Sequence, residues 1–313
     1  MELISVIVPC YNEQEAIPYF YEEICSVMNK MPEYRFEIIF VNDGSKDNTM
    51  KLIKDLASKD DRVKYVSFSR NFGKEAAIYA GLDVSKGDYV TLMDADLQDP
   101  PALLPKMMDA ITKEGYDSAA TRRVTRSGEP PVRSFFARQF YKIINKISDV
   151  NIVDGARDYR LMTRQMVDTI LALPERGRFS KGIFGWIGFD TKWIEFENVD
   201  RVAGETKWTF WSLLLYSLDG IASFSTVPLH IATITGLVML LIVLIMAIIF
   251  LVRFCAWGFA PSLVASLSCM ILMVGGILCV FMGIIGQYLA RTYIEVQKRP
   301  IYILKETNIK KED

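Results

Sequence analysis

Residues 229–252 are 24 consecutive positions without Asp, Glu, Lys or Arg, and after Arg253 none of these returns until Arg291. Each run exceeds the roughly 20 apolar residues that a helix needs to cross a bilayer. The chain is therefore expected to form two transmembrane helices, 229–252 and 263–288, with Pro261 marking the turn between them beside Trp257 and Gly258. Residues 1–207 differ sharply, with charges throughout, and read as a soluble α/β domain. The segment 208–228 is aromatic and apolar, and reads as a juxtamembrane helix lying in the interface with Trp and Tyr at headgroup level. Packing of that helix on the soluble domain is the alternative. Residues 289–313 form a tail. The short connector carries only Arg253, whereas Arg201, Lys207, Arg291, Lys298 and Arg299 flank the other side. The positive-inside rule then puts the large domain and the tail in the cytoplasm, on a multi-pass plasma-membrane protein. Gly275, Cys279 and Gly283 recur every four residues in the second span and permit close helix packing, within the hairpin or between subunits.

Composition removes several functional classes. The 313 residues carry a net charge of −1, so no global basic field points to nucleic acid. A single histidine, His230, excludes His-based triads and metal sites. Five cysteines, at 10, 25, 255, 269 and 279 with no CxxC spacing, fit neither a disulfide framework nor a zinc site. The N-terminus reads as a strand, because it has no basic region or small-residue cleavage site.

Within 1–207, apolar and β-branched runs at 3–8, 36–41, 63–68, 89–93 and 117–121 alternate with helical patterns near 13–30, 48–58, 73–84 and 101–114. This alternation implies βαβ units and a mostly parallel sheet, with ligands at the carboxyl ends of the strands. No G-x-G-x-x-G follows the first strand, and no P-loop occurs, so a diphosphate must be held in another way. Met93-Asp94-Ala95-Asp96-Leu97-Gln98-Asp99 supplies one. If strand geometry persists, Asp94 and Asp96 face the same side. Two carboxylates completed by substrate phosphates suit a hard divalent ion.

Six segments occur in order. They are Val8-Pro9-Cys10-Tyr11-Asn12-Glu13, Val41-Asn42-Asp43-Gly44-Ser45, Ser69-Arg70-Asn71-Phe72-Gly73-Lys74, Asp94 to Pro100, Asp158-Tyr159-Arg160-Leu161, and Arg201 to Trp208. Together they resemble family 2 glycosyltransferases of the GT-A fold. Within these the chain is most similar to the polyprenyl-phosphate glycosyltransferases, which include bactoprenol glucosyltransferases and dolichyl-phosphate mannose synthases. The resemblance spans nearly the whole chain, including both C-terminal spans.

The resemblance implies a nucleotide pocket of Pro9, Tyr11, Asn12, Glu13, Asp43, Lys74 and Asp94. Tyr11 can stack on a base, Asp43 can accept from a base N–H, and Lys74 either touches the nucleotide or is solvated. It implies Mg²⁺ or Mn²⁺ on Asp94, Asp96 and Gln98, with Asp96 the firmer direct ligand. Asp158 is implied at the catalytic centre beside Asp96, as base or positioning group. Arg122, Arg133, Arg201 and Lys207 are implied for the acceptor phosphate, and 176–188 reads as a mobile acceptor-side loop. The expected activity is inverting transfer of one hexose, glucose from a UDP-sugar, to undecaprenyl phosphate at the cytoplasmic face. The expected partners are the nucleotide sugar, the lipid, the membrane and further copies of the chain. The alternatives are a GDP-mannose-dependent synthase, a processive polysaccharide synthase, for which the Q-x-x-R-W motif is missing, and a non-catalytic nucleotide-sugar-binding scaffold.

Overall fold

The computed structural model describes residues 1–124, 153, 155–173, 175–197, 227–257 and 263–310. The apolar runs become β1 (Leu3–Cys10), β2 (Arg35–Asn42), β3 (Val63–Phe68), β4 (Tyr89–Leu92) and β5 (Ser118–Arg123). Between them lie α1 (Ile17–Asn29), α2 (Thr49–Ala57), α3 (Lys74–Val84) and α4 (Leu104–Thr112), the last entered through a single 3₁₀ turn at Pro101–Leu103. The chain continues through β6 (Ala156–Thr163), α5 (Arg164–Ala172), α6 (Ser180–Trp186) and β7 (Thr191–Phe196). Two long helices follow, α7 (Val227–Trp257) and α8 (Leu263–Gln297), and then a short strand, β8 (Leu304–Thr307).

All eight strands form one sheet in the order β7-β5-β6-β4-β1-β2-β3-β8. β1 pairs in parallel with both β2 and β4, and β2 with β3. Strand order therefore reverses between β1 and β4, which opens a crevice beyond their carboxyl ends. β6 runs antiparallel between β4 and β5. The sheet is thus parallel at its centre and mixed towards its edges, in keeping with the expected GT-A-like architecture.

Each strand side chain faces one of two apolar layers, because successive residues alternate across the sheet. Ile4, Val6 and Val8 pack with Ile17, Phe20 and Ile24 of α1 and Met107 of α4. Ile7, Ile39 and Leu92 face the opposite layer with Ala77, Ala80, Met166 and Ile183. Near-continuous apolar strands are what burial on both faces requires. Gly81 lets α3 lie directly on β1, since a Cβ there would sit 2.2 Å from Cγ2 of Ile7.

Some expectations need correction. β4 ends at Leu92, so Asp94 and Asp96 lie beyond the strand, and the backbone between them and Gln98 turns through Leu97 at φ 56°. Asp158 lies on a strand, β6, that the apolar runs did not reveal. The supposed mobile loop at 176–188 contains α6, whose first residue bonds to α3. The tail belongs to the sheet, since β8 pairs antiparallel with β3. Residues 208–226 of the expected interfacial helix lie outside the described residues. Among the described residues one stretch, Met273–Gln297, is long and apolar enough to cross a membrane.

The returning tail is anchored by specific contacts. Tyr302 stacks on Phe68 with ring centroids 4.8 Å apart, and its hydroxyl donates to Asp83 at 3.2 Å. Burial and the nearby Asp83 carboxylate push the Tyr302 phenol up to about 12. Asn308 satisfies the β3 edge from both sides, accepting from Tyr65 N–H and donating to Val63 C=O. Tyr302→Ala is expected to cost about 1–3 kcal/mol, from lost ring packing and a partly vacated site. Thermal unfolding of the full-length protein in detergent checks this, and an unchanged transition would mean that the tail is not docked.

Candidate active site

The crevice is walled by three loops at the strand ends, held to one another through side-chain to backbone bonds. Asn12, in the left-handed region at φ 53°, accepts from Lys46 N–H, while its own N–H donates to Ser45 Oγ. Glu13 N–H donates to Thr49 Oγ1. The loops after β1 and β2 are thereby one unit, which carries Pro9, Tyr11, Asn12 and Glu13.

Asp43 is buried and organises the third loop. Its two carboxylate oxygens accept from the N–H groups of Phe72 and Gly73, at 2.6 and 2.9 Å. Burial raises its pKa, and these two bonds oppose the rise. A carboxylate offers about four lone-pair directions, so capacity for a base N–H remains. Gly44 is compelled at its position: φ is 65°, and a Cβ would lie 2.4 Å from the Arg70 carbonyl carbon. Gly73, at φ 97°, then starts α3 and delivers Lys74 into the crevice.

The register of β4 and β6 explains what Lys74 meets. Leu92 lies opposite Arg160 in this antiparallel pair. Asp94 follows two residues after Leu92, past the end of β4, and Asp158 precedes Arg160 by two on β6, so both lie at this end of the pair. The Lys74 ammonium sits between them. It is 2.7 Å from Oδ1 and 2.9 Å from Oδ2 of Asp94, and 2.6 Å from Oδ2 of Asp158. Burial disfavours charge on Lys74, but Asp158 and Asp94 outweigh it and raise its pKa. Burial likewise opposes charge on Asp158. Lys74, and Lys181 at 4.0 Å, reverse that effect and hold its carboxyl well below the usual carboxylate range.

Asp96 is also buried, and its Oδ1 accepts from Gln98 N–H at 3.1 Å. Among the described residues no group of three or more His, Cys, Asp or Glu is arranged to hold an ion alone. An oxygen-only set of two carboxylates, with the remaining positions left to phosphate and water, fits Mg²⁺ or a similar hard cation.

A second layer of charge supports the first, and sequence reasoning missed it. Asp99 is 1% exposed and accepts from Arg157 Nε at 2.8 Å. Arg160, on the same face of β6 as Asp158, lies 4.1 Å over the Phe184 ring and 5.9 Å from that of Trp193. Its Nε and Nη1 have no hydrogen-bond partner among the described residues, and burial pushes its pKa down to about 10. Glu75 accepts from the N–H and hydroxyl of Ser180, which locks α6 to α3. Arg178 donates to the carbonyls of Ile170, Leu173 and Glu175 at the end of α5 and stacks over Tyr79, so its role is to cap a helix end.

The expected acceptor set is only partly described. Arg122 lies on β5, with its guanidinium 3.9 Å from Glu195. Arg133, Arg201 and Lys207 lie outside the described residues. Lys181 lies 4.0 Å from Asp158 and also donates to Ala156 C=O at 3.1 Å.

Arg157→Leu would leave the Asp99 carboxylate buried and uncompensated, at a cost of about 3–5 kcal/mol. In the native protein burial already raises the Asp99 pKa against the pull of Arg157. Removing Arg157 raises it further. A carboxyl whose folded pKa is raised is most stable protonated, so the loss should be largest at neutral pH and shrink as pH falls through that pKa. Urea unfolding of both proteins between pH 4 and 7 measures this.

Residues 5–171, just over half the chain, match the model of glycosyl transferase family 2. The putative glycosyltransferase CsbB of Bacillus subtilis is 44% identical over 99% of this chain and 94% of its own length. A prophage bactoprenol glucosyl transferase homolog of Escherichia coli is 42% identical over 96% of this chain and 98% of its own. The bactoprenol glucosyl transferase of Shigella phage SfII is 42% identical over 97% and 98%. A segment bearing the crevice residues of β1, β2, β4 and β6 matches the family, and its relatives share nearly the full length: the chain belongs to glycosyl transferase family 2.

Proposed function

We propose that this protein transfers one glucosyl residue from UDP-glucose to undecaprenyl phosphate at the cytoplasmic face of the membrane, with inversion at the anomeric carbon. Relatives named bactoprenol glucosyl transferases, 42% identical over nearly their whole length, support the sugar and the lipid class. The observation that carries the reading is a contact between the apolar helix and the site. Glu295, near the end of α8, accepts from the N–H groups of Arg176 and Gly177 at 2.7 and 3.1 Å. Four residues after Gly177, Lys181 reaches Asp158. This link between the apolar helix and the carboxylate cluster supports an acceptor phosphate presented from a membrane surface.

The pairing of β8 with β3 supports two crossings, at 229–252 and 263–288. Chain on either side of the apolar helices enters one sheet, so an even number of crossings separates them. A homo-oligomer completes the proposal.

The chemistry follows from charge. A phosphate monoester has its second pKa at about 6, so the acceptor is mostly a nucleophilic dianion at neutral pH. It needs alignment and screening more than a base. Asp158, with Lys181 beside it, suits a positioning role. Asp96, with Asp94 and Gln98 beside it, would hold Mg²⁺ or Mn²⁺ against the donor diphosphate. When bound, that ion supplies Lewis-acid stabilisation of the departing nucleoside diphosphate. Pro9, Tyr11, Asn12, Glu13 and Asp43 hold the nucleoside. Lys181, Arg122 and the basic residues Arg133, Arg201 and Lys207 screen the acceptor.

The test is a donor panel of UDP-glucose, UDP-galactose, UDP-N-acetylglucosamine and GDP-mannose with undecaprenyl phosphate and Mn²⁺. Glucosyl-lipid from UDP-glucose is expected, and product from none of the four would overturn the proposal. Asp96→Ala should abolish transfer. Asp158→Asn should lower kcat at least tenfold while leaving the acid limb of the pH–rate profile in place, near the acceptor's second pKa. A general base at Asp158, worth about 10²–10⁴ in rate, would instead take a limb of the profile with it when replaced.

A further inference from the structure

The ammonium of Lys74 sits against oxygens that a metal would also use. It contacts both oxygens of Asp94, at 2.7 and 2.9 Å, and one oxygen of Asp158, at 2.6 Å. Each Asp94 oxygen keeps a further lone-pair direction, but Mg²⁺ bound there at about 2.0–2.1 Å would lie close to the ammonium, and the two cations would repel each other. The base of the Lys74 side chain is fixed, because Asp43 holds the N–H groups of Phe72 and Gly73 and Glu75 is bonded to Ser180. The four-carbon stem is not fixed in the same way: it retains 35% of its side-chain surface, so the ammonium can swing without movement of α3. A donor diphosphate would offer that ammonium a new anionic partner at the same moment as it offers the metal its missing oxygens.

We propose that Lys74 is an exchangeable internal cation. Before donor binds it ties Asp94 to Asp158 and weakens the hold of Asp94 on the divalent ion. When the nucleotide diphosphate arrives, Lys74 moves to the phosphates and Asp94 is released to the ion, so donor and metal enter together. The inference rests on the donor and metal reading above, but not on the acceptor. Lys74 also acts while donor is absent, when it prevents Asp94 and Asp158 from facing each other uncompensated.

The experiment measures Mn²⁺ alone binding to full-length enzyme in detergent, by electron paramagnetic resonance, with and without UDP. Without UDP, Lys74→Met and Lys74→Gln should bind Mn²⁺ at least tenfold more tightly than wild type. Lys74→Arg, which keeps a cation on Asp94, should bind no more tightly than wild type. UDP should tighten Mn²⁺ binding by a larger factor in wild type than in the Met or Gln variants, and by linkage Mn²⁺ should tighten UDP equally. Gln keeps hydrogen-bonding capacity at the same place, so it stands in if the Met variant fails to fold, and thermal unfolding checks each protein. Equal Mn²⁺ affinity within twofold across wild type, Met and Gln would overturn the proposal, as would tightening in Lys74→Arg equal to that in Lys74→Met. No acceptor is present in the measurement. Failure to glucosylate undecaprenyl phosphate would therefore leave it intact, whereas failure of Mn²⁺ or UDP to bind any of the proteins would sink the donor reading itself.

Discussion

A lysine ammonium held between two carboxylates, Asp94 and Asp158, is the interaction on which this crevice depends. These ions are partly withdrawn from water, and close, well-oriented partners offset that cost. The fold supplies them through three independent constraints. Antiparallel pairing of β4 and β6 brings the segments that carry the two carboxylates to the same end of the sheet. Asp43 cradles the turn before α3. The lack of a side chain at Gly81 allows α3 to lie close enough to β1 for Lys74 to reach. Each is a packing or backbone feature, yet together they place one charge.

Around this triad the protein maintains a graded electrostatic environment. Asp99 and Arg157 neutralise one another in the layer beneath. Arg160 stays cationic between aromatic rings, an arrangement in which ring faces replace some of the lost hydration. Lys181 adds positive charge from α6, which is tied to α3 through Glu75. Positive groups thus converge on Asp158 from two helices. That suits a reaction in which two anions, a donor diphosphate and a phosphate acceptor, must approach each other.

The central strands were legible in the sequence to within one or two residues, because burial on both faces demands unbroken apolar runs, and β1 to β4 have them. β6 was not. Its sequence, Ala156 to Thr163, carries Arg157, Asp158 and Arg160, which mask a strand whose charges are paired or stacked inside the fold. β8 is four residues long and partly polar, a pattern that reads as tail until the β3 edge is known to need a partner. α6 looked like a loop for a similar reason: the bonds that order it come from Glu75, about a hundred residues away in sequence. The site followed the same division. Asp94 and Asp96 were named from local pattern, and Asp158 from the family resemblance. The bridge through Lys74 was not, because it depends on a strand pairing that spans distant segments.

A structure of the full-length protein with UDP-glucose and Mn²⁺ bound tests the exchange at Lys74 most directly. The distance from Lys74 Nζ to the nearest Asp94 oxygen, 2.7 Å here, should exceed about 4 Å, beyond ion-pair contact. Asp94 and Asp96 should then lie on the ion, with the Lys74 ammonium on the diphosphate. A ternary complex in which Lys74 still holds both oxygens of Asp94 would contradict the exchange.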